Sequence, residues 1–207
     1  GKPMIAWTIE TAINSNLFDR IIVSTDDDEI AEISRQNGAE IPFMRPAQLA
    51  NDFATTGDVM RHAAEELNIE DALCCIYATA PFIIVDDLKA GYETLLDTSA
   101  APQWDYVFSA TRFSFPIQRA LKQNADNAIA MFEPENELTR SQDLEPAFHD
   151  AGQFYWGRSA AFKKGLPVFT SRSTIVELPN WRVQDIDTQD DWVRAEAMFK
   201  TLGLGQK

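Results

Sequence analysis

Between Arg20 and Ala110 short apolar runs alternate with helical segments, and this alternation constrains the chain more than any other feature. Arg20-Ile21-Ile22-Val23-Ser24-Thr25 reads as a strand. The acidic Asp26-Asp27-Asp28-Glu29 suits a helix N-terminus, and Gly38 stops that helix. Glu40 to Met44 reads as a second strand, followed by a loop carrying Arg45-Pro46. A threonine of the pair Thr55-Thr56 caps a helix running to about Leu67. A buried strand follows from Ala72 to Ala78, then a helix from Asp86 to Leu96 and a strand from Asp105 to Ala110. Such alternation predicts an α/β fold, a doubly wound and mostly parallel sheet with helices on both faces. Ligands of such sheets bind beyond the carboxyl ends of the strands, where the loops after Thr25, Ala78 and Ala110 gather.

Both ends of the chain depart from this rhythm. Ile5, Ile9, Ala12 and Ile13 recur at helical spacing after Gly1-Lys2-Pro3, so the chain opens on a helix instead of on a strand and a glycine-rich phosphate-binding turn. From Thr111 to Gly152 the alternation lapses into short β-like pieces, Arg119 to Leu121 and Ala128 to Phe132, and the stretch reads as an insertion or flap. Gly152 to Gly157 and Ile175 to Leu178 return as strands. Trp192, Ala195, Phe199 and Leu202 give the last helix, from Gln189, an apolar stripe.

Before that helix stands Val183-Gln184-Asp185-Ile186-Asp187-Thr188, which reads as a strand-like run closed by two carboxylates. In a strand, residues i and i+2 share one face roughly 7 Å apart, so Asp185 and Asp187 can hold one hard cation. Magnesium takes one or two protein carboxylates and leaves its other positions to water and phosphates. The competing reading is that Asp187 or Thr188 caps the final helix. Asp26, at a strand end, is open to the same reading.

The net charge of −14 argues against a nucleic-acid partner, whose binding draws on clustered Lys and Arg. A small anion needs only a local pocket of positive groups, and Lys2, Arg45, Arg112, Arg119 and Arg140 stand apart as candidates, each with an ordinary surface ion pair as its alternative. Cys74 and Cys75 are adjacent in an apolar strand pattern and read as small hydrophobes, which excludes a disulfide framework. No apolar run reaches the roughly 20 residues of a membrane span, and no charged-then-apolar export signal opens the chain, so the expected location is cytoplasmic. His62 falls inside a helix and reads as structural, whereas His149 lies between Phe148 and Asp150 near the flap.

Six pieces occur in an order that resembles the CMP-sialic acid synthetase family of nucleotidyltransferases: Gly1-Lys2-Pro3-Met4-Ile5, Val23-Ser24-Thr25-Asp26-Asp27, Arg45-Pro46, Thr79-Ala80-Pro81, Gly152-Gln153-Phe154-Tyr155 and Asp185-Ile186-Asp187-Thr188. Three further segments, Cys75 to Phe82, Phe115 to Ala120 and Arg140 to Pro146, narrow the likeness to a branch whose sugar is not sialic acid. The resemblance covers essentially the whole chain. It implies one nucleotide-diphospho-sugar-transferase domain, 1–207, that moves CMP from CTP to the anomeric hydroxyl of a nine-carbon 2-keto sugar acid with Mg2+, releasing pyrophosphate. Pseudaminic acid is the sugar expected, with sialic, legionaminic and octulosonic acids as alternatives. Asp185 and Asp187 take the family's metal positions, and Lys2, Arg45, Thr55 and Thr56 fall on the CTP side. Tyr77, in place of a more common glutamine, joins Gln118, Arg119, Arg140, Gln153 and Tyr155 on the sugar side.

Arg119 suits a sugar carboxylate because its planar fork offers two parallel donors. Tyr155 is expected to face the pocket and Phe154 the core. In the family part of the sugar-side segment comes from the other subunit, so residues 111–150 are the expected dimerisation flap of a homodimer. The family pattern also has an upstream strand and a basic glycine-rich loop, absent before Gly1, so the domain is expected to be N-terminally incomplete. A non-catalytic nucleotide or sugar binder is the alternative from another functional class.

Overall fold

The computed structural model describes residues 1–99, 101 and 103–204. Its main sheet has four strands in the order β1 (Ala72–Ile76), β5 (Phe148–Arg158), β2 (Tyr106–Arg112), β6 (Ser173–Leu178). β2 pairs parallel with β6, and β5 pairs antiparallel with both β1 and β2. Three strands therefore point one way, as the alternation predicts. The reversed β5 between β1 and β2 is what the alternation does not show. A small hairpin of β3 (Leu121–Gln123) and β4 (Ile129–Met131) forms a second sheet in the flap.

The expected strands at 20–25 and 40–44 lie side by side but make only one parallel bridge, Ile22 to Glu40. Glu40 N–H donates to Ile21 O at 2.7 Å and Val23 N–H to Glu40 O at 3.0 Å, and the next contact along is Arg45 N–H to Thr25 O at 2.8 Å. Pro42 lies between these contacts and has no N–H to give, so the ladder cannot run on. The expected β pieces of the flap are also displaced: residues 117–119 form a 3-10 turn and the strand begins at Leu121.

Alternate residues of β2 feed opposite faces. Val107 joins Ile83, Leu88, Leu95, Phe154 and Trp156 beneath α4 (Val85–Leu96) and α1 (Met4–Ser15). Tyr106 joins Ala64 of α3 (Thr56–Glu66), Leu73, and Ala161 and Phe162 of α5 (Ser159–Lys163). α2 (Asp28–Gln36) packs against α1, and α6 (Gln189–Thr201) sets Phe199 edge-on to Trp7 at 5.1 Å. Cys74 and Cys75 pack as hydrophobes in β1, where burial pushes both thiols up, Cys75 to about 12.

Trp156 anchors the first face. Its indole N–H donates to Leu88 O at 2.9 Å, Phe18 stacks on it at 5.1 Å, and Gly91 of α4 lets the helix approach. A Cβ on Gly91 would lie 2.6 Å from Trp156 Cδ1 and 2.9 Å from Phe154 Cε2. Mid-helix Gly to Ala ordinarily gains about 1 kcal/mol. Here overpacking reverses the sign, and Gly91→Ala is expected to lose about 1–3 kcal/mol in urea unfolding. A stabilised variant would show that the helix can lift off the indole.

Candidate active site

The carboxyl end of β1 and the amino end of the antiparallel β5 meet at one edge of the sheet. Tyr77 directly follows β1, and its backbone N–H donates to Gln153 O at 3.0 Å. Thr56 opens α3, and its hydroxyl lies 2.9 Å from that of Tyr77. Tyr155 sets its ring edge-on to Tyr77 at 5.7 Å and stacks on Phe108 at 5.8 Å. Its hydroxyl donates to the Asp150 carboxylate, and burial followed by this carboxylate holds the phenol far above its ordinary range.

β5 enters the sheet through an irregularity. Ala110 pairs with Asp150 and Phe108 with Tyr155, so the register shifts across Ser109. Ser109 Oγ accepts from Gln153 N–H at 3.2 Å and Phe154 N–H at 3.1 Å, which satisfies donors the ladder leaves out. Gly152 turns the chain at φ +60, with its N–H donating to Asp150 Oδ1 at 2.8 Å. The bulge leads into a buried Gln153, whose Nε2 donates to Arg182 O at 3.0 Å and whose Oε1 is buried without a partner among the described residues.

Arg182 opens the segment that carries the two aspartates. It is buried, and its guanidinium grips Asp87 of α4 through both carboxylate oxygens, at 2.5 and 3.1 Å, and reaches Phe82 O at 3.3 Å. Residues 183–187 have no ladder partner, so the expected strand there is a loop. Its far end is held by α6. Thr188 is the N-cap in a capping box with Asp191, so the capping reading holds for Thr188 and leaves the Asp187 carboxylate outside the cap. Asp191 accepts from the Thr188 hydroxyl at 2.7 Å, Thr188 N–H at 3.0 Å and Gln184 Nε2 at 3.1 Å, and its carboxyl is held low chiefly by Thr188.

Asp185 faces Gly152, where an added Cβ would stand 3.7 Å from its Oδ1. Desolvation raises its carboxyl above the ordinary range; the charge of Asp187 adds to this, and Asp150 and Asp191 push the same way. No group of three or more His, Cys, Asp or Glu side chains suited to a metal occurs among the described residues. The Asp185–Asp187 pair, two carboxylates whose charges repel, has the donor chemistry that a hard cation such as magnesium would suit, with water and phosphates filling its other positions.

The other expected residues sit in contacts of their own. Lys2 pairs with Glu10 and lies 4.1 Å over Trp7, beside a cavity of about 460 Å3 lined by Ile13 and Gln36–Gly38. Arg45 is held by Ser24, through the backbone oxygen and Oγ. Thr55 is the N-cap of α3 and gives its hydroxyl to Asp58 at 2.6 Å, so Thr56 is the one left to face Tyr77. Gln118 Nε2 donates to Glu145 O at 2.9 Å and leaves Oε1 buried without a partner among the described residues. Arg119 is exposed in the flap, and Arg140 pairs with Asp143 at 2.7 Å. Arg112 pairs with Glu177 at 3.4 Å, and Asp26 is not the cap of α2, a role taken by Asp27. His149 packs on Phe113 at 4.8 Å and His62 on Phe43 at 5.0 Å.

Thr56, Tyr77, Gln153, Tyr155 and Asp185 thus come into one neighbourhood. Sequence reasoning passed over Asp150, Arg182 and Asp191. The spacing of Asp150 from Gly152, a carboxylate two residues before a glycine, was a readable turn signal.

The fold is that of nucleotide-activating transferases. The synthetase of CMP:2-keto-3-deoxy-manno-octonic acid solved with CTP superposes with a TM-score of 0.67 at 16% identity, covering 98% of this chain and 89% of that one. A 4-diphosphocytidyl-2C-methyl-D-erythritol synthase from Anaerococcus prevotii gives 0.62 at 15% identity, covering 95% and 86%. The cytidylyltransferase family model matches residues 1–198, and the chain belongs to that family. It is therefore a nucleotidyltransferase enzyme. A pseudaminic acid cytidylyltransferase of Campylobacter jejuni is 41% identical over 204 residues, 97% of this chain and 86% of that protein. A two-function Helicobacter pylori protein, pseudaminic acid cytidylyltransferase and a sugar-nucleotide hydrolase, is 38% identical over 188 residues, 90% of this chain and 35% of that one.

The raised carboxyl of Asp185 has a defined sign. Its folded-state pKa lies above the unfolded one, so ionising it costs folding free energy. That cost is absent below the unfolded carboxylate range and complete once the pH passes the folded value. In cation-free buffer at pH 7, Asp185→Asn is expected to be more stable than the parent, by less than about 1 kcal/mol for so exposed a group. The gain should shrink below about pH 4. Urea titrations at the two pH values read it, and an equal gain at both would point to a packing effect instead.

Proposed function

We propose that this chain transfers CMP from CTP to the anomeric hydroxyl of pseudaminic acid, releasing pyrophosphate, with magnesium held by Asp185 and Asp187. The observation that carries this reading is the gathering of Thr56, Tyr77, Tyr155 and the two-aspartate loop at one edge of the sheet, in a chain 41% identical to a relative named for that activity. In the reaction the hydroxyl oxygen forms a bond to the α-phosphorus, the bond to pyrophosphate breaks, and the hydroxyl proton leaves to solvent. When bound, magnesium supplies charge neutralisation for the phosphates.

The protein's own task is positioning in a dry, polar site. Thr56, at the N-terminus of α3, lies on the nucleotide side together with Arg45. Tyr77, Tyr155, Gln153 and Gln118 form the sugar side. Arg119 or Arg140 takes the sugar carboxylate. The exposed flap arginines and its apolar side chains, Phe115 at 82% and Leu138 at 93% exposure among them, support a homodimer in which residues 111–150 cover the partner's site. Among the described residues no helix is long and apolar enough to cross a membrane, and a cytoplasmic location belongs to the same reading.

Asp187→Ala is expected to abolish pyrophosphate release, by 100-fold or more on the order of a lost transition-state charge partner, while circular dichroism stays unchanged. Chelation of magnesium should do the same to the parent. Turnover near the parent's level in the variant would remove the metal assignment. For the flap, Leu138→Glu with Phe115→Glu is expected to shift the sedimentation coefficient from dimer to monomer, and a dimer that persists would place the interface elsewhere.

A further inference from the structure

We propose that Arg182 is a positioning residue for the cation site: its buried grip on Asp87 and Phe82 fixes one end of the 183–187 loop, and with it the separation of the Asp185 and Asp187 carboxylates. The proposal rests on the reading above, that this pair holds the cation, and adds to it a residue that acts through the loop. Residues 183–187 have no ladder partner, so their path is set by their two ends. The far end is the capping box of Thr188 with Asp191, which also accepts from Asp187 N–H at 3.4 Å and Gln184 Nε2 at 3.1 Å.

The near end is Arg182, tied to several segments at once. Nη1 donates to Asp87 Oδ2 at 2.5 Å and Nη2 to Oδ1 at 3.1 Å, in the first turn of α4. Nη1 also donates to Phe82 O at 3.3 Å, in the segment between Tyr77 and α4. Its carbonyl accepts from Gln153 Nε2 of β5 at 3.0 Å, and its N–H donates to Pro179 O, just past β6, at 2.9 Å. Both partners of the ion pair are buried, Arg182 at 8% and Asp87 at 9% exposure.

Two carboxylates that repel hold one cation well only when the backbone keeps them close before the cation arrives. A planar fork on a carboxylate has one good geometry, whereas an ammonium is a point charge that turns freely. The fork therefore gives the Arg182 main chain a fixed direction, three residues before Asp185. The competing role is structural, an ion pair that only holds α4 against the end of the sheet. Such a pair can be replaced by apolar side chains of similar volume with little loss of stability. The double variant Arg182→Met with Asp87→Val separates the two roles, because it fills the space and abolishes the direction.

The test is manganese binding by the nucleotide-free protein, read from the electron paramagnetic resonance of the free ion during titration. A chain at −14 offers many surface carboxylates, so the site is the component of binding that Asp187→Ala removes. In the apolar pair that component should be about 10- to 100-fold weaker, the usual effect of losing a residue that orients metal ligands. Its thermal midpoint without metal should stay close to the parent's. Arg182→Lys keeps the charge and loses the fork, so its manganese affinity should fall by about tenfold as well. This variant decides the question if the apolar pair does not fold. Parent-like affinity in either variant would overturn the proposal and leave Arg182 a structural ion pair. If Asp187→Ala removes no manganese binding, the metal assignment itself falls and the proposal falls with it.

Discussion

A single reversed strand orders this molecule. β5 lies between β1 and β2 and runs against both, so its amino end arrives at the carboxyl ends of its neighbours. Its middle is buried by Phe154, Trp156 and Gly157, where a Cβ would stand 2.5 Å from Phe162 and 2.7 Å from Tyr106. Such packing leaves no freedom to slip by one residue, because a slip would exchange the faces of Tyr155 and Trp156. The fixed register presents Asp150, Gly152 and Gln153 to the site. The bulge there is tolerated because Ser109 satisfies the amides that the ladder cannot.

The two-aspartate loop depends on the same strand. It has no ladder of its own, and its anchor is the carbonyl of Arg182 on Gln153, with the Arg182 guanidinium clamped on Asp87. Buried ion pairs contribute little net stability against an apolar replacement, but losing one partner is costly. The pair ties α4 to the loop through a planar, two-pronged contact with one good geometry. With Asp191 at the other end, the aspartates are carried by side chains on β5, α4 and α6, three elements separated in sequence.

That separation explains what could be read from the chain. Helix existence was legible, since capping and periodicity are local: Thr55 and Thr188 cap where expected, and the second leaves Asp187 outside the cap. The resemblance assigned Thr56 to the nucleotide, Tyr77, Gln153 and Tyr155 to the sugar and Asp185 to the metal, and the fold brings these five into one neighbourhood. The reversal of β5 was not legible, because strand direction leaves no mark on an apolar run. The strand expected at 183–188 was misread for a related reason: an extended backbone has the strand pattern whether or not a partner exists. Asp150, Arg182 and Asp191 escaped because their roles lie in contacts with distant residues.

The charge of the chain sets a last constraint. A molecule at −14 that handles a triphosphate and a sugar acid cannot rely on its overall field, which repels both. Screening shortens that field to about 8 Å at physiological salt, so local groups decide the outcome. Near the site the charges are themselves negative, Asp150, Asp185, Asp187 and Asp191, and desolvation with mutual repulsion raises the Asp185 carboxyl. A cluster of this sign has two ways to tolerate an anion: a bridging cation, or neutral polar contacts that turn the anionic groups of the ligand away. On the proposed reading the aspartate pair is suited to the first, and the neutral side chains of Thr56, Tyr77 and Tyr155 to the second. On this view the acidity of the site acts as an orienting field, under which each substrate has one way to lie.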